Sequence, residues 1–99
     1  MLPDVIGKVV VSRAGRDKGK YFVVVAIDDD AHVLIADGGA RKAVRAKRKK
    51  LKHLHFTSYK VSEDGLKMHS ERGTVDAYLR GSLELMFDNK GIPKEEQLV

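Results

Sequence analysis

The sequence predicts a mainly β chain: about five short strands in one small domain, followed by a single C-terminal α-helix. Three observations carry this reading. Over residues 5–57, β-branched and aromatic runs recur at short intervals between Gly- and Asp-containing turns. Residues 74–89 instead repeat their apolar residues at three-and-four spacing. At 99 residues and 42% apolar content, there is room for one core and little more.

Pro3 and Asp4 lead into a first strand at residues 5–12, where Val9 and Val11 share one face and Lys8 and Val10 the other. A loop at residues 12–20 holds two glycines, Gly15 and Gly19, and four cations, Arg13, Arg16, Lys18 and Lys20. Residues 21–27, YFVVVAI, form a nearly unbroken apolar strand, which predicts cover on both of its faces. Asp28, Asp29 and Asp30 make the next turn, because short carboxylates hydrogen-bond to nearby backbone. Val33, Leu34 and Ile35 centre a third strand at 32–37, broken by Gly38 and Gly39. Residues 41–52, RKAVRAKRKKLK, contain eight basic residues and no acid. Propensity alone allows a helix there. The Gly-Gly start and the preceding β signals favour one or two short strands with an exposed basic loop between them. Leu51, Leu54 and Phe56 anchor a final strand, with a tight turn near His53.

Residues 1–57 therefore read as the β-domain and residues 58–73 as a polar linker. Within the linker, Ser62 followed by Glu63 and Asp64 is a capping signal for a short helix through Leu66 and Met68, which Gly65 weakens. Residues 74–91 carry the amphipathic helix and its stop. Thr74 is the expected N-cap, and Asp76 complements the positive helix end. Val75, Tyr78, Leu79, Ser82, Leu83, Met86 and Phe87 lie on one face, and Lys90, Gly91 and Pro93 end the element. Residues 92–99 read as a loose tail. The apolar face is expected to pack on the β-domain as a lid over its open end. A helix detached by its linker would instead need a protein partner or a second copy for that face.

Charge is distributed unevenly. Residues 1–60 carry 14 Lys/Arg against 6 Asp/Glu, a net +8, and residues 61–99 carry 5 against 8, a net −3. A basic domain with a mildly acidic appendage points to a polyanion partner, of which nucleic acid is the commonest. A membrane surface fits poorly, because the basic segment has no apolar helical face. The absence of Cys excludes disulfides and thiolate chemistry and suits the cytosol. The N-terminus lacks a signal-peptide layout, and no apolar run approaches the roughly 20 residues that cross a bilayer. The expected location is cytoplasmic.

Nothing in the chain reads as an enzyme. There is no Ser-His-Asp order, and the glycine loop precedes a strand rather than the helix a phosphate-binding loop needs. The three consecutive aspartates are more simply turn formers than metal ligands. His53 and His55 form an HxH pair on one strand face, without further ligands close in sequence, so neither metal nor cofactor is expected. Tyr21, Phe22 and Phe56 are open to base stacking, but they sit in or beside apolar strands, which favours the core. Tyr59, beyond the last strand, is the better base-stacking candidate.

The candidate binding residues are the loop, Arg13, Gly15, Arg16, Lys18, Gly19 and Lys20, and the basic segment, Arg41, Lys42, Arg45, Lys47, Arg48, Lys49, Lys50 and Lys52, with His53 beside it. Loop amides next to the glycines can meet phosphate oxygens directly. The basic segment is expected to supply most of the electrostatic affinity, through phosphate contact and counterion release. The bland alternatives are a solvated hairpin tip and a solvated basic face.

Ser12, Gly15, Arg16, Asp17, Lys18, Gly19 and Lys20, between alternating valines and a long apolar strand, resemble the KOW motif. Within that group the chain is similar to the fourteen-e family of archaeal and eukaryotic large-subunit ribosomal proteins. Gly7, Gly15, Gly19, Asp28, Val33, Leu34, Ile35, Gly38 and the His53-Leu54 pair fall in the places that family's pattern requires, across residues 5–57. Phe22 stands where many KOW motifs have a third glycine, and the segment after residue 57 does not resemble a ribosomal extension. Its capped helix is similar to the tails of bacterial proteins described only as KOW-domain RNA-binding proteins, which implies a bacterial, ribosome-linked relative. The resemblance implies a small SH3-like β-barrel and non-catalytic binding of ribosomal RNA by phosphate and shape contacts. A protein-interaction module of SH3-like type and a non-specific double-stranded DNA binder stay open as alternatives.

Overall fold

A computed structural model describes residues 4–88 and 91–94. Five strands come first: β1 (Lys8–Ser12), β2 (Tyr21–Ile27), β3 (His32–Ala36), β4 (Lys47–Lys50) and β5 (Leu54–Lys60). Two helices follow, α1 (Glu63–Glu71) and α2 (Val75–Met86). Single 3₁₀ turns, Ala43–Arg45 and Leu51–His53, flank β4. The strands form one antiparallel sheet in the order β4-β3-β2-β1-β5. The fold is a small SH3-like barrel with two C-terminal helices.

Strand alternation builds two cores. Val10 pairs with Phe22, and Val24 with Ile35. With Val5, Val33 and Leu54 these residues fill the inner face. Val9 pairs with Val23 and Val23 with Ala36, which makes a second apolar row on the outer face. The unbroken apolar character of β2 follows, since neither of its faces meets water over most of its length. Register irregularities interrupt β2–β3 between Val24 and Ala26, and β1–β5 between Lys8 and Val10. At the second, Thr57 Oγ1 donates to the Val9 carbonyl (2.8 Å) and accepts from the Tyr59 amide (3.1 Å). Such bulges bend a sheet and sharpen its twist.

Helix α2 lies across the outer face of the sheet and does not cap the barrel's open end. Leu79 is fully buried there, with Val75, Tyr78, Leu83 and Met86 packed around it. The helix begins where expected, but its cap differs. The Thr74 hydroxyl turns back to the His69 ring, 2.7 Å from Nδ1, and caps no α2 amide. Asp76 Oδ1 accepts from the Ala43 amide (2.8 Å), so this first-turn carboxylate ties the helix to the β3–β4 connection. Gly38 makes that approach feasible: its φ is +77°, and a Cβ would run into the Asp76 carbonyl and lie 3.0 Å from the Arg80 nitrogen. Arg80 Nη1 donates to the Gly38 carbonyl (2.9 Å).

The helix ends at Met86, earlier than its sequence pattern indicates. Phe87 turns extended, bridges to Pro93 and stacks on Tyr21 with ring centroids 3.9 Å apart. Tyr21 donates its hydroxyl to the Gly91 carbonyl (2.8 Å). The expected stop at Lys90 and most of the expected tail lie outside the described residues.

The segment 58–73, expected as a linker, holds the end of β5 and the nine-residue helix α1. Ser62 caps it by accepting from the Gly65 amide (3.0 Å), and Leu66 is buried under it. Gly65 does not break this helix because the Tyr78 ring lies against it; a Cβ would touch the Tyr78 hydroxyl and stand 2.9 Å from its Cζ. Tertiary packing outweighs glycine's cost of about 1 kcal/mol in a helix. Among the described residues, no helix is long and apolar enough to cross a membrane.

Candidate nucleic-acid interface

The loop between β1 and β2 is a closed, self-bonded structure. Ser12 and Lys20 frame it, with Ser12 N donating to the Lys20 carbonyl (3.0 Å) and Gly19 N to the Ser12 carbonyl (2.8 Å). Inside, Lys18 N reaches the Gly15 carbonyl (3.2 Å) and Lys20 N the Asp17 carbonyl (2.9 Å). Gly15 and Gly19 take φ of +78° and +87°, which L side chains rarely adopt. A Cβ on Gly19 would meet nothing within 4 Å, so only the backbone conformation selects glycine there. Arg13 N donates to the His53 carbonyl (2.8 Å), which joins the loop to the 3₁₀ turn Leu51–His53. Two segments distant in sequence thus form one rim of the barrel.

Strand β4 runs beneath this rim, and its register with β3 sorts its cations. Lys47 pairs with Ile35 and Lys49 with Val33, both inner-face residues. Lys49 is only 8% exposed, and its Nζ donates to the Ala14 carbonyl in the loop (3.0 Å). Lys47 Nζ donates to Asp17 Oδ2 (2.8 Å). The Lys47 hydrogen bond is the chief reason the Asp17 carboxyl lies below its ordinary range; burial opposes it, and the charges of Lys47, Lys20 and Arg41 reinforce it.

On the opposite face of β4, Arg48 grips the aspartate turn, with Nε on Asp28 Oδ2 (2.5 Å) and Nη2 on Asp29 Oδ2 (3.1 Å). Asp29 also accepts from the Ala31 amide and hydrogen-bonds His32 Nδ1, each at 2.8 Å. These contacts, the His32 bond foremost, lower its carboxyl to about 2.

The segment 41–52, expected to supply most of the electrostatic affinity, therefore does not present all of its cations to solvent. Lys47, Arg48 and Lys49 have partners within the protein. Lys42 Nζ donates to the Gly38 carbonyl (3.2 Å) and Arg41 Nη1 to the Arg45 carbonyl (3.3 Å). Among the described residues, Arg13, Arg16, Lys18, Arg45, Lys50 and Lys52 are exposed and hold no side-chain hydrogen bond or ion pair. Lys20 is also exposed and only approaches Asp17, at 3.9 Å. The loop cations, Lys52 and His53 come together at the rim, whereas Lys42 and Arg45 lie on the β3–β4 connection that α2 abuts.

Other expectations change with the geometry. His53 ends a 3₁₀ turn and His55 lies in β5, so the pair does not share a strand face. Phe22 is buried in the barrel core, where Phe56 packs against it. Tyr59 lies edge-on to Phe87 at 5.1 Å, in the outer core, which removes it as a free stacking platform. Asp17 was missed as an organising residue, although one signal was visible: it is the sole acid between Asp4 and Asp28, placed among four cations.

No family model matches the chain. Large ribosomal subunit protein eL14 of Desulfurococcus amylolyticus is 31% identical over 78 residues, covering 72% of this chain and 81% of the relative. Large ribosomal subunit protein eL14 of Pyrobaculum islandicum is 33% identical over 89 residues, covering 83% of this chain and 85% of the relative. A match of that extent cannot be confined to residues 5–57; it reaches into the helical part, which was expected to fall outside the likeness. Both relatives are archaeal and lend no support to a bacterial origin. With most of its length matched to both relatives, the chain belongs to the eL14 family of large-subunit ribosomal proteins.

Proposed function

We propose that the protein is a non-catalytic ribosomal protein that binds ribosomal RNA in the large subunit through phosphate and shape contacts, and that it works in the cytoplasm. The observation that carries this reading is the rim: exposed Arg13, Arg16, Lys18 and Lys52 around a loop whose shape is set in advance by its own hydrogen bonds. A loop ordered before binding loses little entropy on docking, and its glycines let phosphate oxygens approach the backbone. Lys20, Lys50 and His53 complete the contact set, with Lys42 and Arg45 as an outlying group. Lys47, Arg48 and Lys49 act as struts. In this reading the barrel is a KOW module, on the strength of its loop residues, and a bacterial source rests on the resemblance of the helical tail alone. A protein partner at α2 would have to use its outer side, where Leu85 is 80% exposed, because the apolar face is covered.

Binding to large-subunit ribosomal RNA should weaken steeply between low and moderate salt and resist competition by duplex DNA at matched salt. Salt-insensitive binding, or full competition by DNA, would overturn the assignment. Crosslinking in native cells should recover ribosomal RNA on peptides from residues 13–20 and 50–53.

A further inference from the structure

The opposite end of β1 and β5 carries a second cationic feature. Lys8 pairs directly across the strands with Lys60. Like charges opposite each other in an antiparallel pair repel. Neither lysine has an ion pair among the described residues, and Lys60 is exposed. Between this pair and the rim runs β5, which among the described residues pairs with β1 alone and leaves its other edge without a strand partner. Residues 38–62 contain no Asp or Glu, so β5 itself brings no counter-charge to this edge. His55 and Ser58 are exposed along it. Lys8 lies four residues before Ser12, roughly 13 Å from the rim at about 3.3 Å per residue.

We propose that the free edge of β5 is a second RNA contact, continuous with the rim, on which the sugar-phosphate backbone runs from Arg13 and Lys52 past His55 and Ser58 to the Lys8–Lys60 pair. The inference rests on the RNA-binding reading of the rim and extends it. Two observations select a polyanion as occupant: the uncompensated lysine pair, and the continuity of an acid-free strand with the exposed rim cations. A shared phosphate would remove the lysine repulsion, so a pair that weakens the free protein supports the complex.

The test uses the full chain, in vitro transcribed large-subunit ribosomal RNA and binding measured across a salt series. Lys8→Ala with Lys60→Ala should lower the slope of log affinity against log salt by about 2, at about 1 per phosphate-binding lysine. Each single variant should lower it by about half as much. The melting temperature of the free protein should stay level or rise, since repulsion is relieved. Arg16→Ala with Lys18→Ala serves as the rim control. A slope unchanged in the lysine variants but reduced in the rim control would overturn the second contact and leave the rim reading intact. A slope unchanged in both would overturn the rim reading as well. A fall in melting temperature would show that the lysines stabilise the fold, against the proposal.

Discussion

Strand β4 and the loop of residues 13–20 carry the same kind of charge and put it to different uses. In β4, Lys47 and Lys49 point to the barrel's inner face, where one meets Asp17 and the other the Ala14 carbonyl. In the loop, Arg13, Arg16 and Lys18 project into solvent from a backbone whose turns are already closed. The denser basic segment thus shapes the sparser one. Charge counted along a sequence measures how much is present; which charge reaches a partner depends on what else it meets first.

Lys49→Ala should test this contrast hardest. Loss of its charged hydrogen bond should lower the unfolding free energy by about 2 kcal/mol in a urea titration. Lys18→Ala should change it by no more than about 0.5 kcal/mol. If the two variants were equally stable, β4 and the loop would not differ in the way described.

RNA binding should show the reverse order. Arg16→Ala and Lys18→Ala should each reduce the salt slope by about 1, with melting temperature unchanged. Lys49→Ala should leave the slope nearly constant, and any loss of affinity should track the fraction of folded protein.

A smaller effect is expected at Lys47. Its ion pair with Asp17 is partly exposed, so Lys47→Ala should cost at most about 1 kcal/mol. Hydrogen exchange should register it more clearly, through faster exchange of the Lys18, Gly19 and Lys20 amides, which the loop's own bonds protect. Unchanged exchange would mean that Lys47 does not brace the loop.

The pH dependence should be the gentlest effect. Asp17 and Asp29 both titrate below their ordinary value of 3.8 in the folded state. A carboxyl with a lowered pKa stabilises the fold above its unfolded value and loses that contribution as pH falls through its folded one. Melting temperature should therefore decline from about pH 4 towards pH 2, and less steeply in Asp17→Asn and Asp29→Asn than in the parent protein.

Features governed by neighbouring residues were legible in the sequence. The two-sided cover of β2 followed from its seven apolar residues, the aspartate turn from its short carboxylates, and the apolar face of α2 from its spacing. These depend on local periodicity and on side chains bonding nearby backbone. Of the one or two short strands that context favoured within residues 41–52, β4 is one, and the turn near His53 is the 3₁₀ turn Leu51–His53.

Residues distant in the chain decided the rest. Gly65 weakens a helix by itself, yet α1 forms because Tyr78 from α2 packs against that glycine. Phe87 belongs to the helical pattern, yet it leaves the helix to stack on Tyr21 from β2. The uses of the lysines in β4 depend on pairing with β3 and on partners more than thirty residues away or nearly so. Side chains alternate across a strand, so a register shift of one residue would turn Lys47 and Lys49 outward and Arg48 and Lys50 inward. The sequence by itself determined that this chain would be a small basic β-domain with an amphipathic helix. Only the tertiary structure decided which of its charges hold the loop in shape and which remain exposed, because that choice is made by long-range register and packing rather than by composition.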